Sequence, residues 1–102
     1  MVAYNVVRFR VKPGMEDQFL AAQQMPPDMQ MEGWRHGALI KTGERTYCFI
    51  GEWDDFNYIV AARPAMISML DRARPTLEDM GSGLGVTDPI SGEAVIEYEK
   101  PN

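Results

Sequence analysis

Apolar positions along this chain recur with two different periods, and the period predicts each element. Residues 3–11, 34–41 and 46–53 are rich in β-branched and aromatic side chains, and residues 93–99 alternate strictly, so each segment predicts a strand. Residues 15–25 and 55–80 carry apolar side chains three and four positions apart, which predicts helices. The order β-α-β-β-α-β is typical of an α+β, ferredoxin-like fold with a four-stranded antiparallel sheet and both helices on one side.

Prolines, glycines and acidic residues mark the expected ends of these elements. The loop of residues 25–31, which contains two prolines, ends the first helix and could form a lid. Asp54 or Asp55 is expected to cap the second helix, and Pro64 and Pro75 are expected to bend or break it. The glycine-rich residues 81–92 read as a flexible connection to the last strand.

The central hairpin has a register that the sequence predicts from its turn. A turn centred on Gly43 and Glu44 places Trp34 opposite Trp53 and Arg35 opposite Glu52, an ion pair that favours this register. Side chains alternate between faces, so one face receives His36–Gly51, Ala38–Phe49 and Ile40–Tyr47, and the other receives Gly37–Ile50 and Leu39–Cys48. This register predicts an aromatic face with a gap above Gly51, and it separates His36 from Cys48, which argues against a Cys–His catalytic pair.

Length, charge and cysteine content narrow the class of protein. The 102 residues, with 45% apolar and 25% charged side chains, predict one domain spanning residues 1–102. A net charge of −5 argues against nucleic acid or an anionic membrane as partner. The first residues show neither a signal-peptide nor a membrane-span pattern, and a lone cysteine fits a reducing compartment, so we expect a cytoplasmic protein.

The face of the sheet turned away from the helices is expected to be half apolar. Its predicted members are Val6, Arg8, Arg10, Leu39, Cys48, Ile50, Glu52, Glu97 and Glu99. No helix remains to cover this face, whereas a second copy would cover it and match its charges. The sequence therefore predicts a homodimer.

Two motifs join the element order in pointing to a family. The segment VKPG follows the first strand, and GEWDD, ending at Asp55, closes a strand just before the long helix. From Val2 to about Tyr98 the chain resembles the antibiotic biosynthesis monooxygenase family of the dimeric α+β barrel superfamily. The resemblance implies a cytoplasmic homodimer. The superfamily includes cofactor-free oxygenases of polycyclic phenols and quinols as well as haem-degrading enzymes.

The resemblance does not extend to every motif of that superfamily. Haem-degrading members place an asparagine where Val7 stands and use a tryptophan and a histidine of the second helix, and residues 55–80 contain neither. Quinol-type members often have a histidine in that helix, where this chain reads ARPAM over residues 62–66. A haem-degrading function is therefore rejected on these residues.

A cofactor-free oxygenase, without metal or flavin, requires a dry pocket, a base and donors for a substrate oxyanion. We expect His36 to act as the base and Asn5 as the orienting donor. The residues expected to bind a small aromatic substrate are Trp34, Trp53, Phe49, Gly51, Tyr58 and Arg63. Several of these residues have an alternative: the tryptophans as a packed cross-strand pair, His36 and Arg63 as solvated side chains, Asn5 as a cap of a backbone group at the strand edge, and Tyr58 as a surface or packing residue.

Two further functions remain open at this point. A non-catalytic dimeric protein that binds a small molecule or is associated with stress would use the same pocket, and the missing helix histidine favours it. An isomerase or dehalogenase activity is compatible with the architecture, and no residue selects it.

Overall fold

Four antiparallel strands form one sheet in the computed structural model, which describes residues 1–25 and 31–101. The strands are β1 Ala3–Arg10, β2 Trp34–Gly43, β3 Thr46–Trp53 and β4 Asp88–Glu93, and they lie in the order β2-β3-β1-β4. Helix α1, Glu16–Ala22, connects β1 to the hairpin, and helix α2, Phe56–Ala73, leads from the hairpin toward β4. This arrangement confirms the predicted ferredoxin-like α+β fold.

Both helices pack on the same face of the sheet, where they form two buried clusters. Helix α1 inserts Phe19 between two aromatic residues of the sheet, with ring centroids 5.5 Å from Phe9 and 4.9 Å from Tyr47. The second cluster, toward the other end of the sheet, joins Trp53 to Ile59 and to two alanines, Ala3 and Ala62. A cavity lies over the sheet surface between the two clusters.

Helix α2 begins and ends at the residues that its sequence favours. The Asp55 carboxylate accepts a hydrogen bond from Asn57 N across 2.9 Å. Of the two residues predicted to cap the helix, Asp54 and Asp55, it is therefore Asp55 that does so. The helix continues through Pro64, contrary to a break there, and ends at Ala73 before a 3-10 turn that contains Pro75. Among the described residues, no helix is long and apolar enough to cross a membrane.

The register predicted for the hairpin is wrong by one residue over most of its length. Trp34 does lie opposite Trp53, but a bulge at Arg35 then pairs His36 with Glu52 and Gly37 with Gly51. Arg35 still meets acidic residues, with Nε 2.7 Å from Asp54 Oδ1 and a nitrogen 3.8 Å from Glu52 Oε2. The charge pair therefore forms without setting the register that it was expected to set.

The bulge reverses the face of residues 36–41 of β2, up to a second irregularity before Gly43. Trp34, Gly37 and Leu39 share the helix-packed face with Gly51 and Phe49, whereas Ala38 and Ile40 pair with Ile50 and Cys48 on the other face. His36 and Cys48 consequently share the outer face, contrary to the prediction. We call this outer surface the open face; it includes Tyr4, Val6, Arg8, His36, Ala38, Ile40, Cys48, Ile50, Glu52 and Ile90.

The last strand lies earlier in the chain than predicted. Asp88–Glu93 pairs with β1, and Ala94 N donates a final hydrogen bond to Val2 O across 2.8 Å. The alternating segment after it forms no strand, and the side chains of Val95 and Tyr98 are 87% and 90% exposed. Strand β4 contains Pro89, and proline is accepted there because β4 is an edge strand.

Candidate functional site

A cavity of about 720 Å³ lies between the helix-packed face of the sheet and α2. This volume is in the range of small-molecule sites, and the lining is mostly apolar, as such sites require. The described residues that line it are Asn5, Val7, Phe9, Gln23, Met25, Met31, Trp34, Gly37, Ala38, Leu39, Phe49, Ile59, Arg63, Met66, Ile67, Met69, Leu70, Thr87, Pro89, Ile90 and Ser91. Ala38 and Ile90, which belong to the two edge strands, border the cavity although their pairing places them on the outer face of the sheet.

Trp34 and Phe49 form a flat aromatic wall on the sheet side of the cavity. Their rings stack with centroids 6.0 Å apart and planes within 12°. The Trp34 ring folds over two glycines: a Cβ added to Gly37 would lie 2.6 Å from its Cζ2, and one added to Gly51 would lie 3.0 Å from its Cζ3. The space above Gly51, which the sequence predicted to be open to a ligand, is therefore occupied by the indole, and the indole itself faces the cavity.

Asn5 supplies an oriented amide at the floor of the cavity. Its side chain is 5% exposed, and its Oδ1 accepts a hydrogen bond from Trp53 Nε1 across 2.8 Å. An indole nitrogen only donates, so this contact determines which end of the amide is the oxygen. The amide nitrogen then lies on the side of α2, 3.5 Å from the sulfur of Met66.

Arg63 brings the one charge to the cavity among the described residues that line it. It projects from α2 between Ile59, four residues before it, and Met66, three residues after it, and both also line the cavity. The residue is exposed as well as cavity-lining, so it lies at the rim, where the cavity meets solvent. The prediction that Arg63 contacts a ligand stays open, and its position agrees with that role.

The structure separates the other predicted site residues into two groups. Trp53 and Gly51 are buried behind the aromatic wall, where they support Asn5 and Trp34 without lining the cavity. His36 lies on the open face opposite Glu52, and the Tyr58 ring packs over Gly33. His36 and Tyr58 are therefore outside the cavity, and the geometry does not support His36 as a base for a ligand bound there.

Sequence reasoning missed several residues that the cavity uses. Met66 was not among the expected site residues, although its spacing of seven from Ile59 places both on one face of α2. Gly37 was assigned to the outer face by the one-residue register error. Thr87, Pro89 and Ser91 were missed because the last strand was expected after residue 92, where the alternation is stronger.

A hydrogen-bonded trio ties α1 to the hairpin beyond the cavity. Glu16 Oε2 accepts from Lys41 Nζ across 3.0 Å and from the Tyr47 hydroxyl. These two donors lower the pKa of Glu16, chiefly through the Tyr47 hydrogen bond, and the same bond raises the pKa of Tyr47. The pKa of Lys41 is raised by its contact with Glu16. None of the three lines the cavity, so the trio is assigned to structure.

The open face combines an apolar centre with polar edges. Val6 and Ile50 are paired at its centre, and Ile90, which continues the row, is 69% exposed. At the edges, Tyr4 Oη donates to Glu52 across 2.9 Å and Arg8 Nε to Asp88 across 3.0 Å. The bond to Glu52 raises the pKa of Tyr4. Within the described chain, no helix packs on this face.

The sheet order and the two helices on one face define a ferredoxin-like α+β protein with a cavity beneath its long helix. Solved structures with this fold include SnoaB, a cofactor-independent oxygenase from Streptomyces nogalater, at 15% identity and a TM-score of 0.67, covering 97% of this chain and 98% of that one. A candidate antibiotic biosynthesis monooxygenase from Bordetella bronchiseptica matches at 16% identity and a TM-score of 0.71, covering 93% and 98%.

The same fold also occurs in proteins without a stated activity. A conserved protein from Methanosarcina mazei Go1 matches at 14% identity and a TM-score of 0.72, covering 91% of this chain and 92% of that one. No family model matches the sequence, and no curated protein matches it either. The neighbours thus include antibiotic biosynthesis monooxygenases, which bears out the resemblance seen in the sequence at the level of the fold.

Proposed function

We propose that this protein is a cofactor-independent monooxygenase-like enzyme that oxidises a small phenol- or quinol-type aromatic compound in the cavity beneath α2. The observation that carries the proposal is the pairing of the Trp34–Phe49 wall with the oriented amide of Asn5. A flat ring stacks on the wall while the amide nitrogen donates to its oxygen. SnoaB, which has the same fold, is a cofactor-independent oxygenase.

The proposed reaction needs no reductant beyond the substrate. An ionised phenol transfers electrons to O₂ and forms a carbon–oxygen bond at a ring C–H; loss of water then leaves a quinone. One oxygen atom enters the new carbonyl and the other leaves as water, so the substrate supplies all the electrons. The protein excludes bulk water with its apolar lining and stabilises the oxyanion with Asn5.

Removal of the phenol proton is assigned to water, because the described cavity-lining residues include no histidine, carboxylate, lysine or tyrosine. This same observation favours a second candidate: a non-catalytic protein that binds a small aromatic compound. The two candidates share the cavity and differ in whether bound substrate consumes oxygen.

We also propose that the protein is a homodimer whose subunits meet through the open face. An apolar row ending at Ile90 would otherwise stay in water, and a twofold partner would cover it with its own copy of the same row. The proposed compartment is the cytoplasm, because the lone thiol of Cys48 has no second cysteine in the chain with which to form a disulfide.

Oxygen uptake tests the enzymatic proposal. A panel of naphthols and hydroquinones is incubated with wild-type protein, Asn5→Ala and Trp34→Leu, with folding checked by circular dichroism. We expect substrate-dependent uptake that falls about 100-fold in Asn5→Ala, the loss typical of an oxyanion donor. His36→Ala is the matched control and should retain the wild-type rate, because His36 lies on the open face.

The outcomes separate the two candidates. Binding without oxygen uptake in the wild-type protein would replace the enzyme with the binding protein. Loss of uptake in His36→Ala, with the dimer and the fold intact, would contradict the assignment of the cavity as the site.

A further inference from the structure

Resting on the proposed function, we propose that the cavity selects aromatic ligands that carry an oxyanion, either a carboxylate or an ionised phenol, and that Arg63 is the residue that recognises the charge. The inference names a substrate class for the site and a specificity-determining residue. It concerns the binding step of that function, which can be measured apart from any reaction of the bound ligand with oxygen.

The first support is the position of Arg63 on α2. The face of the helix that lines the cavity carries Ile59, Met66, Ile67 and Leu70, at spacings of three and four, with Arg63 among them. The long alkyl part of the side chain can cover the apolar lining while the guanidinium stays at the rim.

The second support is the charge balance of the cavity wall. Asn5, Gln23, Thr87 and Ser91 are its other polar members among the described residues, and all four are neutral. With one cation and no carboxylate in that part of the wall, the local field favours an anion although the chain carries a net charge of −5. Apolar walls strengthen such a field because they lower the local dielectric constant.

The third support is the chemistry of the group itself. A guanidinium presents several N–H donors in a plane and matches the two oxygens of a carboxylate, and it also donates to a single phenolate oxygen. Asn5 lies buried at the floor and Arg63 at the rim, so the two polar groups stand at different depths. A flat ligand with its ring on Trp34 can therefore direct its charged end outward.

Isothermal titration calorimetry with a matched ligand pair tests the inference. The probes are 2-naphthoate and 2-naphthamide, which share the ring system and differ in charge. The proteins are wild type, Arg63→Met, Arg63→Lys and the control Arg74→Met. Arg74 is an exposed residue just after α2 that pairs with Asp71 and is absent from the cavity lining. Arg74→Met removes the same charge from the chain.

We expect Arg63→Met to weaken 2-naphthoate binding about 10- to 100-fold, the loss typical of a charge-assisted hydrogen bond. Binding of 2-naphthamide should change less than about twofold, a change well below one such bond. Arg63→Lys should keep part of the preference, and Arg74→Met all of it. Equal losses for both ligands, an equal loss in Arg74→Met, or no binding of 2-naphthoate to wild type would each overturn the inference.

A third probe distinguishes the two oxyanions. Bound 2-naphthol, titrated by its absorbance, should ionise about one pH unit lower in wild type than in Arg63→Met if the guanidinium stabilises a phenolate. Dependence on Arg63 for 2-naphthoate alone assigns the site to carboxylates. Charge-dependent binding without oxygen uptake would contradict the oxygenase and support this inference. Oxygen uptake from neutral quinols at the same rate in wild type and Arg63→Met would support the oxygenase and contradict this inference.

Discussion

Trp53 Nε1 donates a hydrogen bond of 2.8 Å to Asn5 Oδ1, joining the end of β3 to the floor of the cavity. Trp53 is fully buried, so this indole acts on the cavity through the amide that it orients and through its edge-on contact with the Trp34 ring, whose centroid lies 5.0 Å away. The bond gives the buried Trp53 a role beyond packing.

Replacing Trp53 with Phe should separate this role from packing. The ring is retained in large part, but the amide oxygen of Asn5 loses its donor inside the protein. We expect the free energy of unfolding in urea to fall by about 1–3 kcal/mol, the penalty for an unsatisfied buried polar group. Affinity for a naphthol should fall as well, because the amide is no longer held in one orientation. An unchanged unfolding midpoint and affinity would show that the bond contributes little.

A methyl group at position 51 should disturb the aromatic wall from below. The added Cβ of Gly51→Ala would clash with Asn5 Oδ1 and would lie 3.0 Å from the Trp34 ring. Overpacking of this kind costs about 1–3 kcal/mol. Gly92→Ala is the matched control, since nothing lies within 4 Å of its added Cβ, and its urea midpoint should stay close to that of wild type. Similar midpoints for both variants would contradict the placement of the indole over Gly51.

The trio of Glu16, Lys41 and Tyr47 predicts a pH-dependent difference in stability. Because the folded pKa of Glu16 is lowered from 4.5, its contribution is present above that value and is lost as the pH falls through the folded pKa. Glu16→Gln should therefore be less stable than wild type near neutral pH, and the gap should narrow below about pH 4. Urea unfolding across this range measures the gap. A gap that stays constant across this range would contradict the prediction.

Charge placed at the centre of the open face should separate the proposed dimer. Ile50→Glu would bury two like-charged carboxylates near the twofold axis, an arrangement that costs several kcal/mol. Sedimentation equilibrium should give a monomer with wild-type circular dichroism. Val60→Glu, on the exposed side of α2, is the control and should remain a dimer. A monomeric wild-type protein, or a dimeric Ile50→Glu variant, would contradict the proposed interface.

The parts of the fold that depend on local preferences were predictable. Strand composition located β1 and both hairpin strands to within two residues, and Asp55 was one of the two expected caps of α2. Alternation within β1 correctly placed Val6 and Arg8 on the face turned away from the helices, since β1 contains no irregularity. The fold class followed from the order of these elements.

The misplaced parts depend on competition between distant residues. The bulge forms where Arg35 meets carboxylates on both Glu52 and Asp54, and a strictly alternating pattern contains no sign of it. Likewise, residues 93–99 have the better strand pattern, but β1 pairs with residues 88–93, because the loop after α2 brings those residues to its edge. In both cases the local alternation of apolar and polar residues was outweighed by hydrogen-bond pairing with a neighbouring strand.

The bulge at Arg35 also changes how the cavity wall could be moved to another protein. Because of the extra residue, Trp34 covers Gly37, an odd-numbered neighbour of its own strand, instead of a residue two places away. Copying the tryptophan alone into a regular hairpin would point its ring at solvent or leave it without a glycine beneath it. The transferable unit is the whole segment WRHG, residues 34–37, together with an acidic residue that binds the arginine. If the same four residues paired without the bulge, strict alternation would place Trp34 and Gly37 on opposite faces of the sheet.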